Sequence, residues 1–317
     1  MRKAALLYNP DSGGRRSQRQ TELESVLKLL RGAGVEAELV LSQSRDDAAE
    51  HTRQAIASGC DTVFACGGDG TIHNIIQALA KSPVALAILP MGTANALAHD
   101  LNLPFDVIAA AKAALQASPR RVALGHIRYL DFEGNPGTRY FTVTAGIGAD
   151  AHLFYKLHAD SKRQLGMAAY YAKAWRLWLT YRMRHFSAEY IVAGTDERRS
   201  AQVTELMAVR IRNFGGVLQE FAPGASLDRD DLRLIVCRTA GRAAYLAYVT
   251  RALLRQKWNI PGIDLVHSSK VSCEYLHLAE PANAAPHQKI YAEADGELLG
   301  TLPVEMSIEP NALTLLA

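Results

Sequence analysis

Cysteine is scarce in this chain, and the four cysteines among 317 residues include no Cys-x-x-Cys pair. Small secreted domains held together by disulfides, and zinc sites built from paired cysteines, have dense and regularly spaced cysteines. Both classes are therefore excluded. We expect free thiols, no disulfide, no zinc and a reducing compartment.

Long apolar segments are also missing. The longest stretch without charge or histidine is interrupted by two prolines and a glycine, so we expect nothing that spans a bilayer. The apolar stretch after Met1-Arg2-Lys3 lasts about five residues before Asn9-Pro10, which is too short for a signal peptide. These features favour a cytoplasmic protein whose contact with membranes is peripheral.

A large charge excess is absent as well. Lysine and arginine number 35 against 32 acidic residues, and 49% of the chain is hydrophobic, which is typical of a globular protein long enough for two cores. The basic residues form no recognised nucleic-acid-binding motif, so we expect no nucleic-acid partner.

Acidic residues are missing locally from 161–188 and from 238–263, where cations alternate with aromatic residues. The cations include Lys162, Arg163, Lys173, Arg176, Arg182 and Arg184 in the first segment, and Arg242, Arg251, Arg255 and Lys257 in the second. Such segments are typical of surfaces that touch an anionic membrane. The alternative is an ordinary core helix with a solvated basic face.

Three glycine-containing turns each follow an apolar run and precede a helical pattern. The candidate phosphate-binding residues are Asn9, Ser12 and Gly13 in the first turn, Gly67, Gly68, Gly70 and Thr71 in the second, and Gly92, Thr93 and Asn95 in the third. Glycine lets the backbone approach an anion, and helix N-termini favour negative charge. If the strands are parallel, all three turns lie at one edge of a sheet. Ordinary loops between strands and helices also need glycine, so each turn alone is weak support.

Asp69 stands between the glycines of the second turn. A carboxylate repels phosphate unless a magnesium ion or a reacting hydroxyl lies between them, so its position indicates phosphoryl chemistry rather than nucleotide docking alone. We assign Asp69 to the organisation of Mg²⁺ or phosphate.

The motifs Asn9-Pro10-x-Ser12-Gly13, Gly67-Gly68-Asp69-Gly70-Thr71 and Gly92-Thr93-x-Asn95 resemble those of the diacylglycerol kinase catalytic domain family, and similar blocks continue to residue 297. The resemblance implies an ATP- and Mg²⁺-dependent lipid kinase acting on a membrane alcohol, first of all diacylglycerol. A sphingoid base or ceramide, phosphatidylglycerol and a polyprenol are the competing substrates. An NAD kinase, which shares only the second turn, and a catalytically silent nucleotide- or lipid-binding module remain alternatives. A homodimer is possible.

The pattern of strands and helices changes near residue 124. Up to that point strands alternate with helices, and beyond it many short strands follow one another, which favours a sandwich. We therefore expect an α/β chain with a Rossmann-like nucleotide-binding domain over 1–124 and a β-sandwich domain with inserted helices over 125–305. Residues 306–317 could return to the first domain as a strand.

Asp295-Gly296 lies between two strand patterns, and this pair is a strong signal for a hairpin turn. The family resemblance instead implies that Asp295 accepts the proton of the lipid hydroxyl. Glu297 would then support it or stand near the metal. Asp69 is the other candidate for the base, and the sequence leaves this choice open.

The chain departs from the family pattern in two places. Asn74 replaces a glutamate that many relatives carry after the second turn, and we expect His73 beside it to lie on the helix surface. Arg229 stands where relatives place a carboxylate of a structural magnesium site. Because an arginine cannot ligate a cation, we doubt that this site is kept, although Asp228, Asp230 or Asp231 could rearrange around a metal.

Overall fold

A computed structural model describes residues 1–10, 16–42, 44–149, 151, 180, 183–215, 220–276 and 289–317. The described helices are α1 (Arg16–Gly32), α2 (Arg45–Ala57), α3 (Asp69–Leu79), α4 (Ala96–Asp100), α5 (Val107–Gln116) and α6 (Arg242–Leu253). The described strands are β1 (Lys3–Tyr8), β2 (Glu36–Leu41), β3 (Thr62–Gly67), β4 (Ala85–Pro90), β5 (Pro119–Leu130), β6 (Pro136–Phe141), β7 (Thr144–Gly148), β8 (Phe186–Val192), β9 (Arg198–Val203), β10 (Glu205–Val209), β11 (Leu232–Cys237), β12 (Ile263–Glu274), β13 (Tyr291–Ala294) and β14 (Glu297–Leu316).

The first four strands form a parallel sheet, as the alternating pattern predicts. Their order in the sheet is β2-β1-β3-β4. Alternate residues of each strand face opposite sides of this sheet. Leu7 and Val63 pack with α2 and α3, whereas Leu6 and Phe64 pack with α1 and α5. Helices thus cover both faces, and the carboxyl ends of β1, β3 and β4 meet at one edge.

The later strands are mainly antiparallel and run in the order β13-β7-β10-β11-β12-β8-β9. Strand β14 pairs with both β13 and β12, so this ladder closes around a second core that includes Phe186, Leu206 and Val271. The predicted fold class, an α/β domain followed by an antiparallel β domain, is confirmed.

Strand β14 passes through both regions. Its first residues pair with β13, whereas Thr314 and Leu315 pair in parallel with Ala85 and Leu86 of β4. Strand β5 runs antiparallel along most of β14. This shared strand fixes the position of Glu297, at its beginning, relative to the parallel sheet.

The acid-free segment 161–188 lies largely outside the described residues, so its predicted helix is not placed. Segment 238–263 contains α6, which we describe below. Among the helices that the structure describes, none has both the length and the hydropathy needed to cross a bilayer.

Candidate active site

The second and third turns touch each other at the edge of the parallel sheet. Gly67 at the end of β3 pairs with Pro90 at the end of β4, so the turns that follow are neighbours. A Cβ atom on Gly68 would lie 3.0 Å from the Cα atom of Gly92, and a Cβ atom on Gly92 would meet Gly68 even more closely. Only backbone fits between the two turns, which is the property that a phosphate cradle needs.

The first turn begins beside them. Tyr8 at the end of β1 pairs with Cys66, so Asn9 follows at the same edge of the sheet. Ser12 and Gly13, the other predicted ligands of this turn, lie outside the described residues.

Gly68 is the N-cap residue of α3. It has no side chain that could accept hydrogen bonds from the first amides of the helix. Thr71 and Ile72 donate backbone hydrogen bonds to the carbonyl of Gly68 at 3.0 and 3.1 Å. Thr71 itself is buried, and its Cβ atom lies 2.7 Å from the position that a Cβ on Gly67 would take. The amides of Asp69 and Gly70, which precede Thr71 and Ile72, donate no such bond within the described structure. They are available to an anion, because helix N-termini carry unpaired N–H groups and a positive dipole end.

Asn95 shapes the third turn from inside. It is 4% exposed, and its side chain accepts a hydrogen bond from Gly92 N and donates one to Gly92 O, both at 2.9 Å. Its φ of 50° is left-handed, a conformation that asparagine tolerates better than most residues. Asn95 thus holds the turn closed, while Thr93 is exposed on it.

Replacing Gly92 by alanine should reduce ATP affinity at least tenfold. The added Cβ would lie 2.7 Å from Asn95 Oδ1 and closer still to the Gly68 backbone, so the two turns must separate. Isothermal titration with ATP measures the loss. Gly32→Ala is the control, because nothing lies within 4 Å of a Cβ at that position. Equal losses in both variants would contradict a cradle at Gly92.

Asp69 is the first residue of α3 and is partly buried. Burial raises the pKa of its carboxyl group, the backbone amides of Leu97, Ala96 and Asn95 oppose this, and the charge of Asp295 adds to the rise. Its Oδ1 atom is buried without a hydrogen-bond partner in the described part of the chain. A hard oxygen ligand in that state suits Mg²⁺ or a hydroxyl donor, so the residues present fit such a group.

Asp295 and Gly296 form the two-residue turn between β13 and β14, with φ values of 48° and 79°. The hairpin prediction is confirmed, since both residues adopt the left-handed conformations of a type I′ turn. The side chain of Asp295 is 3% exposed. Its Oδ1 accepts hydrogen bonds from Val143 N at 2.8 Å and Thr144 N at 3.0 Å, and its Oδ2 accepts from Thr142 N at 3.0 Å.

His73 provides a further contact to Asp295, and the expectation that it lies on the helix surface is wrong. It is 2% exposed, and its Nδ1 atom lies 3.3 Å from Asp295 Oδ2. Asp69, His73 and Gln77 are spaced four residues apart and face the second domain. The Gln77 side chain donates a hydrogen bond to Tyr140 O and accepts one from Tyr140 N, both at 2.9 Å. This polar row on an otherwise apolar helix is the signal that could have placed His73.

These contacts bear on the proposed role of Asp295. The Thr142 hydroxyl donates to Oδ2 at 3.3 Å as well, so four protein donors and His73 surround the carboxylate. A carboxylate offers about four lone-pair positions, and these contacts occupy them. Asp295 therefore ties the segment 142–144 and α3 to the hairpin, and its role as the proton acceptor stays a prediction.

Glu297 reaches the glycine turn from the other side. Its Oε1 atom lies 3.4 Å from the position that a Cβ on Gly70 would take. Glu297 also lines a cavity of about 600 Å³ between the domains, together with His73, Asn74 and Arg139. Among the predicted carboxylates, Asp69 and Glu297 thus flank the second turn, one from each domain.

The loop that carries Arg229 is organised around a buried guanidinium. Arg210 is fully buried, and its side chain donates to the carbonyls of Arg229 at 2.8 Å, Ala123 at 3.0 Å, Leu227 at 3.4 Å and, closely, Asp231. Burial lowers the pKa of Arg210 to about 10, so it remains charged at neutral pH. An internal cation thus already satisfies this loop.

Two of the three carboxylates of the loop, those of Asp228 and Asp231, form ion pairs with other side chains. Asp228 pairs with Arg120 at 2.6 Å. Asp231 pairs with Arg229, and it also lies 3.0 Å from Nδ1 of His267. Groups of three or more metal-ligating side chains do not occur among the described residues. The role of Arg210 could not be predicted from the sequence, because its partners are backbone carbonyls.

Replacing Arg210 by methionine should lower the free energy of unfolding by about 3 kcal/mol, because several buried carbonyls lose their donor. Urea denaturation measures this change. Arg53→Met is the control, since this arginine forms an ion pair with Glu50 in which both side chains are exposed, and such a pair is worth less than about 1 kcal/mol. Similar losses in the two variants would show that the guanidinium does not organise the loop.

The chain is similar to known proteins over nearly its whole length. Residues 3–127 match the family described as diacylglycerol kinase catalytic domain, and residues 142–317 match the YegS C-terminal NAD kinase beta sandwich-like domain. A Bacillus subtilis protein named diacylglycerol kinase is 27% identical over 308 residues, which cover 96% of this chain and 93% of that protein. A Staphylococcus aureus protein of the same name is 25% identical over 304 residues, or 95% and 88% of the two chains.

Solved structures show the same fold. A crystal structure of a Bacillus anthracis diacylglycerol kinase superposes with a TM-score of 0.71 at 22% identity and covers 99% of this chain and 96% of that one. Yeast NADH kinase complexed with NADH superposes with a TM-score of 0.52 at 10% identity, over 100% and 83% of the chains. At these identities both likenesses concern the fold alone.

Proposed function

The chain belongs to the diacylglycerol kinase catalytic domain family, and on that premise we propose that it is an ATP-dependent lipid kinase. It would transfer the γ-phosphoryl group of ATP to the hydroxyl group of a membrane lipid, with diacylglycerol as the acceptor. The observation that carries the proposal is the buried Asp69 oxygen without a hydrogen bond, at the head of a helix whose first amides face a glycine cradle.

The cradle would hold the phosphates of the nucleotide. The contact between Gly68 and Gly92 leaves room for backbone only, so phosphate oxygens can reach the amides at the start of α3. Phosphoryl transfer needs little covalent chemistry from the protein, because positioning and charge stabilisation provide most of the acceleration. A preformed anion site at this turn is therefore the main requirement.

We assign the proton transfer to Asp69. Its raised pKa makes it a better proton acceptor than an ordinary aspartate, and its Oδ1 atom has no competing hydrogen bond in the described structure. Glu297, which lies over Gly70, would hold Mg²⁺ together with phosphate oxygens. The metal, when bound, would neutralise charge on the transferred group.

Asp295 acts in this scheme as a positioning residue. It fixes the backbone of 142–144 and contacts His73, one helical turn after Asp69. The hairpin that carries Asp295 also carries Glu297. A single buried carboxylate thereby sets the distance between the two carboxylates that flank the second turn.

The test is an assay with radiolabelled ATP and Mg²⁺ in mixed vesicles that contain diacylglycerol, with separate reactions that contain ceramide or NAD. Labelled phosphatidic acid is the expected product. NAD is included because residues 142–317 match an NAD kinase beta sandwich-like domain. Labelled NADP would favour the NAD kinase alternative. Absence of any labelled product would favour a silent binding module.

A further inference from the structure

A cavity of about 1290 Å³ opens in the second domain, away from the glycine turns. Strands β8, β9, β11 and β12 line it together with α6 and the loop after that helix, and it shares no lining residue with the cavity between the domains. Its cationic lining residues are Arg199, Arg233, Arg238, Arg251, Arg255 and Lys257, against the acidic residues Glu220 and Asp264. The surplus of cations points to an anionic ligand.

Two of these arginines have buried nitrogen atoms that find no hydrogen-bond acceptor among the described residues. Arg251 is 6% exposed, its guanidinium lies 4.4 Å from the centre of the Tyr248 ring, and its Nε and Nη2 atoms have no hydrogen-bond partner among the described residues. Arg233 Nε is likewise buried and unpartnered there. Asp264 does not compensate them, because it pairs with Arg238 at 2.7 Å. Buried guanidinium donors without acceptors are costly, and an anion in the cavity would satisfy them.

Apolar side chains are exposed beside this cavity. Trp258 lines the cavity and is 50% exposed, and Leu254, four residues earlier, is 55% exposed. Leu246, Val249 and Leu253 are 40–44% exposed and share the face of α6 that is turned away from Tyr248 and Arg251, which line the cavity. Apolar and tryptophan side chains beside cations are the composition of a surface that rests on a bilayer.

We propose that this cavity binds the phosphate-bearing headgroup of an anionic phospholipid while Trp258 rests on the same membrane leaflet. Charge complementarity favours this occupant: the buried donors need an anion, and the exposed Trp258 beside them places that anion at a lipid surface. The site would hold the protein at the membrane independently of the phosphoryl-transfer site. It therefore does not depend on which alcohol is phosphorylated.

Vesicle sedimentation tests the proposal. The wild-type protein should bind phosphatidylcholine vesicles that contain phosphatidylglycerol, should bind pure phosphatidylcholine much more weakly, and should lose the difference at high salt. Arg251→Met should reduce binding to the anionic vesicles about fivefold, the effect of one cation near such a surface. Lys257→Gln, at an exposed position, should show a similar reduction.

Two controls separate this role from a structural one. Arg2→Met removes an equally charged, exposed residue at the start of β1 and should leave binding unchanged. Arg251→Met should melt near or above the wild-type temperature without lipid, because it removes a buried charge whose Nε and Nη2 donors have no acceptor among the described residues, while methionine can still pack against Tyr248. Equal binding with and without phosphatidylglycerol, or full binding by both cavity variants, would overturn the proposal. Sedimentation requires no turnover, so a chain that fails the kinase assay can still pass this test.

Discussion

Asp69→Asn should reduce kcat by about 10³-fold, the usual contribution of a positioned proton acceptor. The asparagine keeps the shape of the side chain but cannot take the proton of the attacking hydroxyl. The KM for MgATP should stay near the wild-type value, because the amides at the start of α3 are backbone groups and remain in place. Steady-state kinetics with diacylglycerol in mixed vesicles measures both quantities.

The Mg²⁺ dependence of the same variant separates the two roles considered for Asp69. If Asp69 is only the proton acceptor, its loss should leave unchanged the Mg²⁺ concentration that gives half-maximal rate. If Asp69 is a ligand of Mg²⁺, its loss should raise that concentration several-fold. Asp196→Asn is the matched control, since this aspartate is exposed in the turn between β8 and β9. If Asp69→Asn kept the wild-type kcat, the assignment of proton transfer to Asp69 would be incorrect.

The pH dependence follows from the direction of the Asp69 shift. Its pKa is raised in the folded protein, so the rate should fall as the pH drops through a value above the ordinary aspartate pKa of about 3.9. A raised carboxyl pKa stabilises the fold at acid pH, and this stabilisation is lost as the pH rises through the folded-state pKa. At neutral pH, Asp69→Asn should therefore melt at or above the wild-type temperature.

Asp295→Asn should behave in the opposite way and lower the free energy of unfolding by about 3 kcal/mol. The carboxylate accepts hydrogen bonds from the backbone amides of Thr142, Val143 and Thr144, and an asparagine must direct its amino group at one of these donors. Turnover should fall too, because the contact of His73 with the hairpin is disturbed. Urea denaturation and kinetics on the same preparation measure the two effects.

The two variants thus have different signatures, which distinguish the proton acceptor from the positioning residue. Loss of activity with a native or raised melting temperature identifies the acceptor, and loss of both identifies the residue that holds the site together. If Asp295→Asn lost activity while it melted like the wild type and bound ATP normally, Asp295 would be the base after all.

Local features of the fold could be predicted from the sequence. The strand, glycine turn and helix around Gly67 and Gly68 depend on neighbouring residues, and the Asp295-Gly296 turn is determined by the two residues that form it. The parallel direction of the early strands follows from their alternation with helices. Each of these features requires only a short window of sequence.

Contacts between distant segments could not be predicted in this way. His73 and Asp295 are 222 positions apart, so their contact depends on how β14 joins the two domains. The contact of Gln77 with Tyr140 also joins distant segments of the chain. So do the hydrogen bonds of Arg210, whose acceptors are carbonyls of a loop and of β5. An unpaired strand pattern at the end of the chain does not show which strands it will join.

The most direct test of the central claim is the transfer of labelled phosphate from ATP to diacylglycerol in mixed vesicles, measured for the wild type and for Asp69→Asn side by side. We predict labelled phosphatidic acid from the wild type and about 10³-fold less from the variant. A wild-type rate from Asp69→Asn, or no labelled lipid from the wild type, would contradict the account.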